Sequence, residues 1–258
     1  MAYATTREGS PVNGPLIAVR LSRSAVRIVV IASLILAIVS LVLWIERDFD
    51  RHFLLAHNPL RDNPAIVALS GALTRFGMSA ICLLVLACFV ASPRFPAFGE
   101  ARATLLVVLF SFSAATVSAH LLKGLLGRAR PIADLAEQLN AAGGHGTASF
   151  PSGHAAQSLA LALPFVVIVA GGSTAVRLVK LALLFVACLV GYSRIVNGAH
   201  YLSDVLGGAA LAMVCVPIAV AAANAVYRRG AVTPGKLDDM ARRQVLVLLG
   251  LTVCLPFL

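Results

Sequence analysis

Six stretches of about twenty apolar, almost uncharged residues divide this chain, and they restrict its fold more than any other feature. They lie near 25–45, 74–92, 103–122, 154–172, 177–193 and 204–227. A helix of about 20 apolar residues spans a bilayer's hydrocarbon core. In lipid the backbone polar groups must be satisfied internally, so spanning segments are helices or closed barrels. Runs this long are too continuous for alternating barrel strands, which predicts an all-α, polytopic membrane protein of six transmembrane helices. Composition agrees: 59% of the residues are hydrophobic and 12% are charged, against roughly 25% charged in soluble domains. The expected organisation is an N-terminal segment over 1–24, a transmembrane domain over 25–227 and a basic segment with a short apolar run over 228–258. That last run, "QVLVLLGLTVCLPFL", fits either a partial span or an interfacial segment. The first run follows a long polar lead and has no small-residue cleavage site after it. It reads as a retained helix and not as a signal peptide.

The net charge of +10 does not point to nucleic acid, because no basic–aromatic interleaving or nucleic-acid-binding motif accompanies it. Lys and Arg gather instead between the apolar runs. With the N-terminus placed in the cytoplasm, thirteen fall in inside segments and seven in outside ones, the bias expected of cytoplasmic loops. All six histidines (His52, His57, His120, His145, His154 and His200) and Asp204 fall on the outer half. The five cysteines lie in apolar runs without metal-ligand spacing and read as small buried hydrophobes. The absence of an N-x-S/T sequon fits a bacterial source.

Two outer segments are long. Residues 46–73 are polar and then amphipathic, and "NPAIVALSGALTRFG" is expected to lie on the membrane surface as a helix. Residues 123–153 contain a Gly/Ala-rich loop. Gly207 and Gly208, with Ala209, Ala210 and Ala212, let the sixth helix approach a neighbour closely.

Three polar clusters stand at helix ends on this outer side. "KGLLGRARP" supplies Lys123, Arg128 and Arg130 within eight residues, a set suited to an oxyanion because Arg offers a planar fork and Lys a point charge. Such cations also snorkel at helix ends. Pro131 fixes the backbone after Arg130 and ends any helix there. "FPSGHAAQS" places Ser152 as an N-cap before an apolar helix. The free N–H groups at that helix start form an anion site, Gly153 permits close backbone approach, and His154 stands in the first turn. "GYSRIVNGAHYLSDVLGG" gives Ser193, Arg194, His200 and Asp204. If the region is helical, His200 and Asp204 share a face. The carboxylate would then fix the imidazole tautomer and free the other nitrogen for attack. The plainer alternative is a polar hairpin in which Asp204 caps a helix.

Read in order, the clusters are K-x6-RP, PSGH and SR-x5-H-x3-D, about eleven positions at set spacing over 123–204. This pattern resembles the type 2 phosphatidic acid phosphatase superfamily, whose relatives include the vanadium haloperoxidases. The resemblance implies a membrane lipid phosphatase with its active site at the outer, periplasmic ends of the helices, in a bacterial inner membrane. It implies that His200 is the nucleophile forming a phosphohistidine and that Asp204 orients it. His154 would protonate the leaving oxygen and then activate water. Lys123, Arg130, Arg194, Ser152 and Gly153 would bind the phosphate, while Ser193 belongs to the motif without a definite role. No metal and no cofactor is implied, and the sequence has no carboxylate cluster of the kind that binds Mg²⁺. The implied partners are the bilayer and a lipid phosphate: phosphatidate, phosphatidylglycerophosphate, undecaprenyl diphosphate or a lipid A phosphate. The alternatives are a phosphotransferase using the same site with an acceptor other than water, and a transporter. Transport paths carry intramembrane charge, and these spans hold almost none. Arg128 falls outside the strict motif and is a candidate for contact with phosphate or headgroup. His120 and His145 are expected to be structural or solvated.

Overall fold

The computed structural model describes residues 19, 21–91, 101–139, 148–169, 173–229 and 234–254. It is 87% helical and has no strands among the described residues. The helices are α1 (Arg23–Ile45), α2 (Arg47–His57), α3 (Pro64–Ala91), α4 (Ala101–Leu126), α5 (Pro131–Leu135), α6 (Gly153–Ile168), α7 (Thr174–Val196), α8 (Leu202–Arg229) and α9 (Pro234–Cys254). Five of them, α1, α3, α4, α7 and α8, are long and apolar enough to cross a membrane. Side chains such as Ile31, Leu34, Ile38, Leu121, Leu181 and Phe185 point outward from the bundle, as lipid-facing positions should. This is an all-α polytopic membrane protein.

The helix ends follow local chemistry. Ser22 opens α1 by accepting the Ala25 N–H at 3.0 Å, and Ser173 opens α7 by accepting that of Val176 at 3.3 Å. Asn63 accepts the Ala65 N–H at 2.9 Å, so α3 starts at Pro64, ten residues before the expected boundary. The segment expected to lie flat on the membrane is therefore the first part of α3. The amphipathic surface helix is α2, whose Asp50 and Leu54 turn inward while Phe49 faces out. Gly127, at φ 56, ends α4, with its N–H bonded to the Lys123 carbonyl at 3.0 Å. Glycine takes this left-handed backbone without steric penalty. Pro131 does not end a helix, as its sequence position suggested; it opens α5, where its missing N–H is not needed.

α6 is the hub. It packs against α3, α4, α7 and α8, and none of its sixteen residues is exposed. Ala156 and Ala160 meet Ala115 of α4 and Ala212 of α8 in an alanine-lined seam, which lets backbones come close. α1 sits outside α8, tied to it by Ser33 Oγ donating to the Ala210 carbonyl (3.0 Å) and Ser40 Oγ to that of Ser203 (2.8 Å). α9 packs on α3 and α4. Its Leu248 is fully buried in the main core, and its Thr252 carbonyl accepts a bond from Ser79 of α3 at 2.9 Å. The C-terminal apolar run is thus integrated into the bundle. Three cysteines are buried, whereas Cys188 and Cys254 are exposed on the bundle surface, contrary to their reading as uniformly buried.

Candidate active site

The start of α8 is held by two carboxylates. Asp204 stands in the first turn and reaches back, its Oδ2 accepting the Tyr201 N–H at 2.9 Å. That is half of a capping box, in which the third helical residue satisfies the N–H of the cap residue. The other half comes from a distant element: Asp50 of α2 accepts the Ser203 N–H at 3.0 Å. A helix start leaves its first N–H groups without intrahelical partners and carries a partial positive charge, so both carboxylates are favoured there.

His200 lies just before α8 and not on it. Its closeness to Asp204 comes from the cap and not from a shared helix face. Nδ1 is 3.4 Å from Asp204 Oδ2, a long contact, and 3.4 Å from Ser149 Oγ. Ser149 in turn donates a short hydrogen bond to Asp204 Oδ2. His200 is 2% exposed. Burial lowers its pKa from 6.5 to about 4; Asp204 opposes the shift, while Arg194 and Lys123 add to it. The ring is therefore neutral at neutral pH. A proton on Nδ1, directed at Asp204, leaves Nε2 with its lone pair.

Three cations surround this point. Lys123, in the last turn of α4, donates to the carbonyls of Ala148 (3.0 Å) and Ser149 (3.2 Å) and so holds the loop leading to α6. Arg130 donates from Nη1 to the Ala199 carbonyl at 3.2 Å, beside His200. Arg194, in the last turn of α7, donates to Thr74 Oγ1 at 3.3 Å. Thr74 is a junction the sequence did not reveal, since it also meets Ser193 Oγ (3.0 Å) and Asn197 Nδ2 (3.1 Å). Its placement follows from the close crossing of α3 and α7: a Cβ on Gly77 would lie 2.3 Å from Val190 Cγ2.

The fourth element is the start of α6. Ser152 occupies the N-cap position but makes no side-chain capping bond. Its hydroxyl is buried without a hydrogen-bond partner, as is Nε of Arg194. Buried polar groups are nearly always paired, so each of these two donors is available to an external acceptor. Nothing lies within 4 Å of a Cβ built on Gly153, which leaves room at the helix start. His154, in the first turn, is within electrostatic range of Arg194, His200, Lys123 and Arg130. The Ser152 N–H bonds the Asp204 carbonyl at 2.9 Å, joining α6 to α8. The two approach so closely that a Cβ on Gly208 would lie 2.5 Å from the Ser152 carbonyl oxygen. A Cβ on Gly207 would strike the Phe150 ring at the same distance.

All eight candidate residues thus gather at one end of the bundle. Arg128 has a different place from the expected phosphate or headgroup contact. Nη1 donates to Asp204 Oδ1 at 2.6 Å and to Ser203 Oγ at 2.5 Å, and Nη2 donates to Asp50 Oδ2 at 2.9 Å. His120 is exposed on α4, and His145 lies outside the described residues. Among the described residues no group of three or more His, Cys, Asp or Glu side chains is placed to hold a metal ion. Asp50 could have been suspected from the sequence, because it shares a face of an amphipathic helix with Leu54, four residues on. Residues 103–228, which contain all three motifs, match the family described as the PAP2 superfamily. No curated protein and no solved structure matches the chain.

Proposed function

The chain belongs to the PAP2 superfamily, a family of phosphatase-type enzymes, and from that premise we propose that it is a lipid phosphatase working through a phosphohistidine. The observation that carries this reading is the pair of buried, partnerless groups, Ser152 Oγ and Arg194 Nε, beside a neutral, carboxylate-oriented His200. Phosphoryl transfer depends mainly on positioning and charge stabilisation. Lys123, Arg130 and Arg194, with the N–H groups at the start of α6, supply that charge around the phosphoryl oxygens.

In the first step Nε2 of His200 attacks phosphorus and the bond to the leaving oxygen breaks. His154 is neutral in the empty site, where burial and the neighbouring Arg194, His200, Lys123 and Arg130 lower its pKa to about 3. The negative charge of bound phosphate offsets those cations, and the ring so protonated gives its proton to that oxygen. Asp204, on Nδ1, stabilises the imidazolium as the phosphorus–nitrogen bond forms; the long Nδ1–Oδ2 contact is of the kind that tightens once substrate is bound. In the second step His154 takes a proton from water, the oxygen attacks phosphorus, and the phosphorus–nitrogen bond breaks. Phosphate leaves and His200 is neutral again. No metal is needed in this sequence of steps.

The substrate class is a phosphate monoester or diphosphate whose lipid chains stay in the bilayer, since the site sits at one end of a lipid-facing bundle. The distribution of Lys and Arg supports an outward, periplasmic placement of that end in a bacterial inner membrane. The test is phosphate release in detergent micelles from a panel of lipid phosphates with EDTA present. Wild-type protein should release free phosphate, and His200→Ala should lose activity by about a thousandfold or more while still inserting. Full activity in purified His200→Ala would falsify the nucleophile. Loss of wild-type activity in EDTA would overturn the metal-free mechanism, and phosphate appearing only on an acceptor lipid would make the enzyme a transferase.

A further inference from the structure

We propose that Arg128 and Asp50 are positioning residues for this reaction, and that they set the orientation of Asp204 and hence of His200. The inference rests on the phosphatase reading. Asp204 has two carboxylate oxygens with separate duties: Oδ2 takes the Tyr201 N–H, the Ser149 hydroxyl and Nδ1 of His200, and Oδ1 takes Nη1 of Arg128. The carboxylate is fully buried, so a partner on Oδ1 decides how the group is turned and whether its charge is offset.

Arg128 is itself held from several sides. Its guanidinium carbon lies 5.2 Å from the centroid of the Trp44 ring and 4.6 Å from that of Tyr201, close enough for cation–π attraction. Asp50, which is 0% exposed, receives Nη2 at 2.9 Å. The same Asp50 accepts the backbone N–H and the hydroxyl of Ser203, the residue before Asp204. Arg128 and Asp50 therefore clamp residues 203–204 from both sides, and they come from a loop after α4 and from the surface helix α2. With two carboxylates and a serine hydroxyl on its donors, Arg128 is committed to the protein, and the phosphate falls to the other three cations.

The test compares wild type, His200→Ala, Arg128→Gln and Asp50→Asn in the micelle assay, measuring kcat, KM and competitive inhibition by inorganic phosphate. Positioning predicts that Arg128→Gln lowers kcat at least tenfold while KM and the phosphate inhibition constant stay within about threefold. Asp50→Asn keeps the shape of the side chain and should lower kcat in the same sense, and the double variant should lose less than the product of the two single losses. A raised KM and inhibition constant with kcat preserved would make Arg128 a phosphate ligand and overturn the proposal. Unchanged kcat in either variant would also overturn it. If Arg128→Gln fails to fold, Asp50→Asn decides the matter. Absence of phosphate release from wild type would instead sink the phosphatase reading itself.

Discussion

Replacing Gly208 by alanine adds one methyl group where α8 meets the backbone at the start of α6. The new Cβ would stand 2.5 Å from the Ser152 carbonyl oxygen, 3.2 Å from the Ala156 nitrogen and 3.3 Å from the Ala155 Cβ. Ordinary contact begins near 3.4 Å, so the carbonyl must retreat by close to 0.9 Å, the difference of 3.4 and 2.5. It has little slack, because that oxygen also accepts the Ala156 N–H at 3.1 Å, and the Ser152 N–H is bonded to the Asp204 carbonyl. The strain therefore moves the start of α6 relative to α8, shifting Ser152, Gly153 and His154 away from His200. A displacement of about 1 Å at reacting groups costs on the order of a hundredfold in rate, and overpacking costs about 1–3 kcal/mol of stability. We expect kcat for phosphate release to fall about a hundredfold while the protein still inserts and melts cooperatively in detergent. Gly71→Ala is the control, since nothing lies within 4 Å of its added methyl and alanine is the better helix former. A Gly208→Ala protein with wild-type kcat would refute the claim that this contact sets the site geometry.

The low pKa of His200, about 4, makes two predictions. The acid limb of kcat/KM set by this ring should fall well below pH 6.5, and a His200 imidazole that titrates at 6.5 by NMR of the detergent-solubilised protein would contradict the burial. In stability the folded pKa is depressed below the unfolded one, so the unfolded chain binds more protons between the two values. The contribution is complete above pH 6.5 and is lost as pH falls toward 4, by on the order of 3 kcal/mol. Melting in detergent across that window, compared with His200→Ala, measures it. Thr74→Val keeps the side-chain volume but removes the hydroxyl that Ser193, Arg194 and Asn197 share. It should lower kcat/KM about tenfold and weaken inhibition by inorganic phosphate, the cost of leaving such polar groups unpaired being about 1–3 kcal/mol; unchanged inhibition would show that Thr74 does not hold Arg194.

The catalytic candidates were legible because each sits at a helix end in a fixed local spacing, and chain topology brings those ends together. Lys123, His154 and His200 needed only the motif and the alternation of spans. The places of Asp50 and Thr74 and the partners of Arg128 are not legible for a physical reason. Their partners are 75 to 153 residues away, and neither hydropathy nor local spacing encodes which faces meet at such separations. The surface helix was misplaced because residues 64–73 are mildly amphipathic, yet the Asn63 cap and Pro64 commit them to α3. α6 was expected to be longer. Protein neighbours line all of it, so its length answers to packing and not to bilayer thickness.

The seclusion of α6 bears on how the protein is made. Sixteen residues rise about 24 Å, short of the roughly 30 Å hydrocarbon core, and the surfaces that receive this helix include α7 and α8, which are synthesised after it. During synthesis α6 thus waits for its final neighbours, and Arg194 stands on α7, His200 just before α8 and Asp204 on α8. Enclosing α6 and assembling the candidate site are one event, so a chain halted before residue 200 has neither the neighbours that cover this helix nor His200 and Asp204.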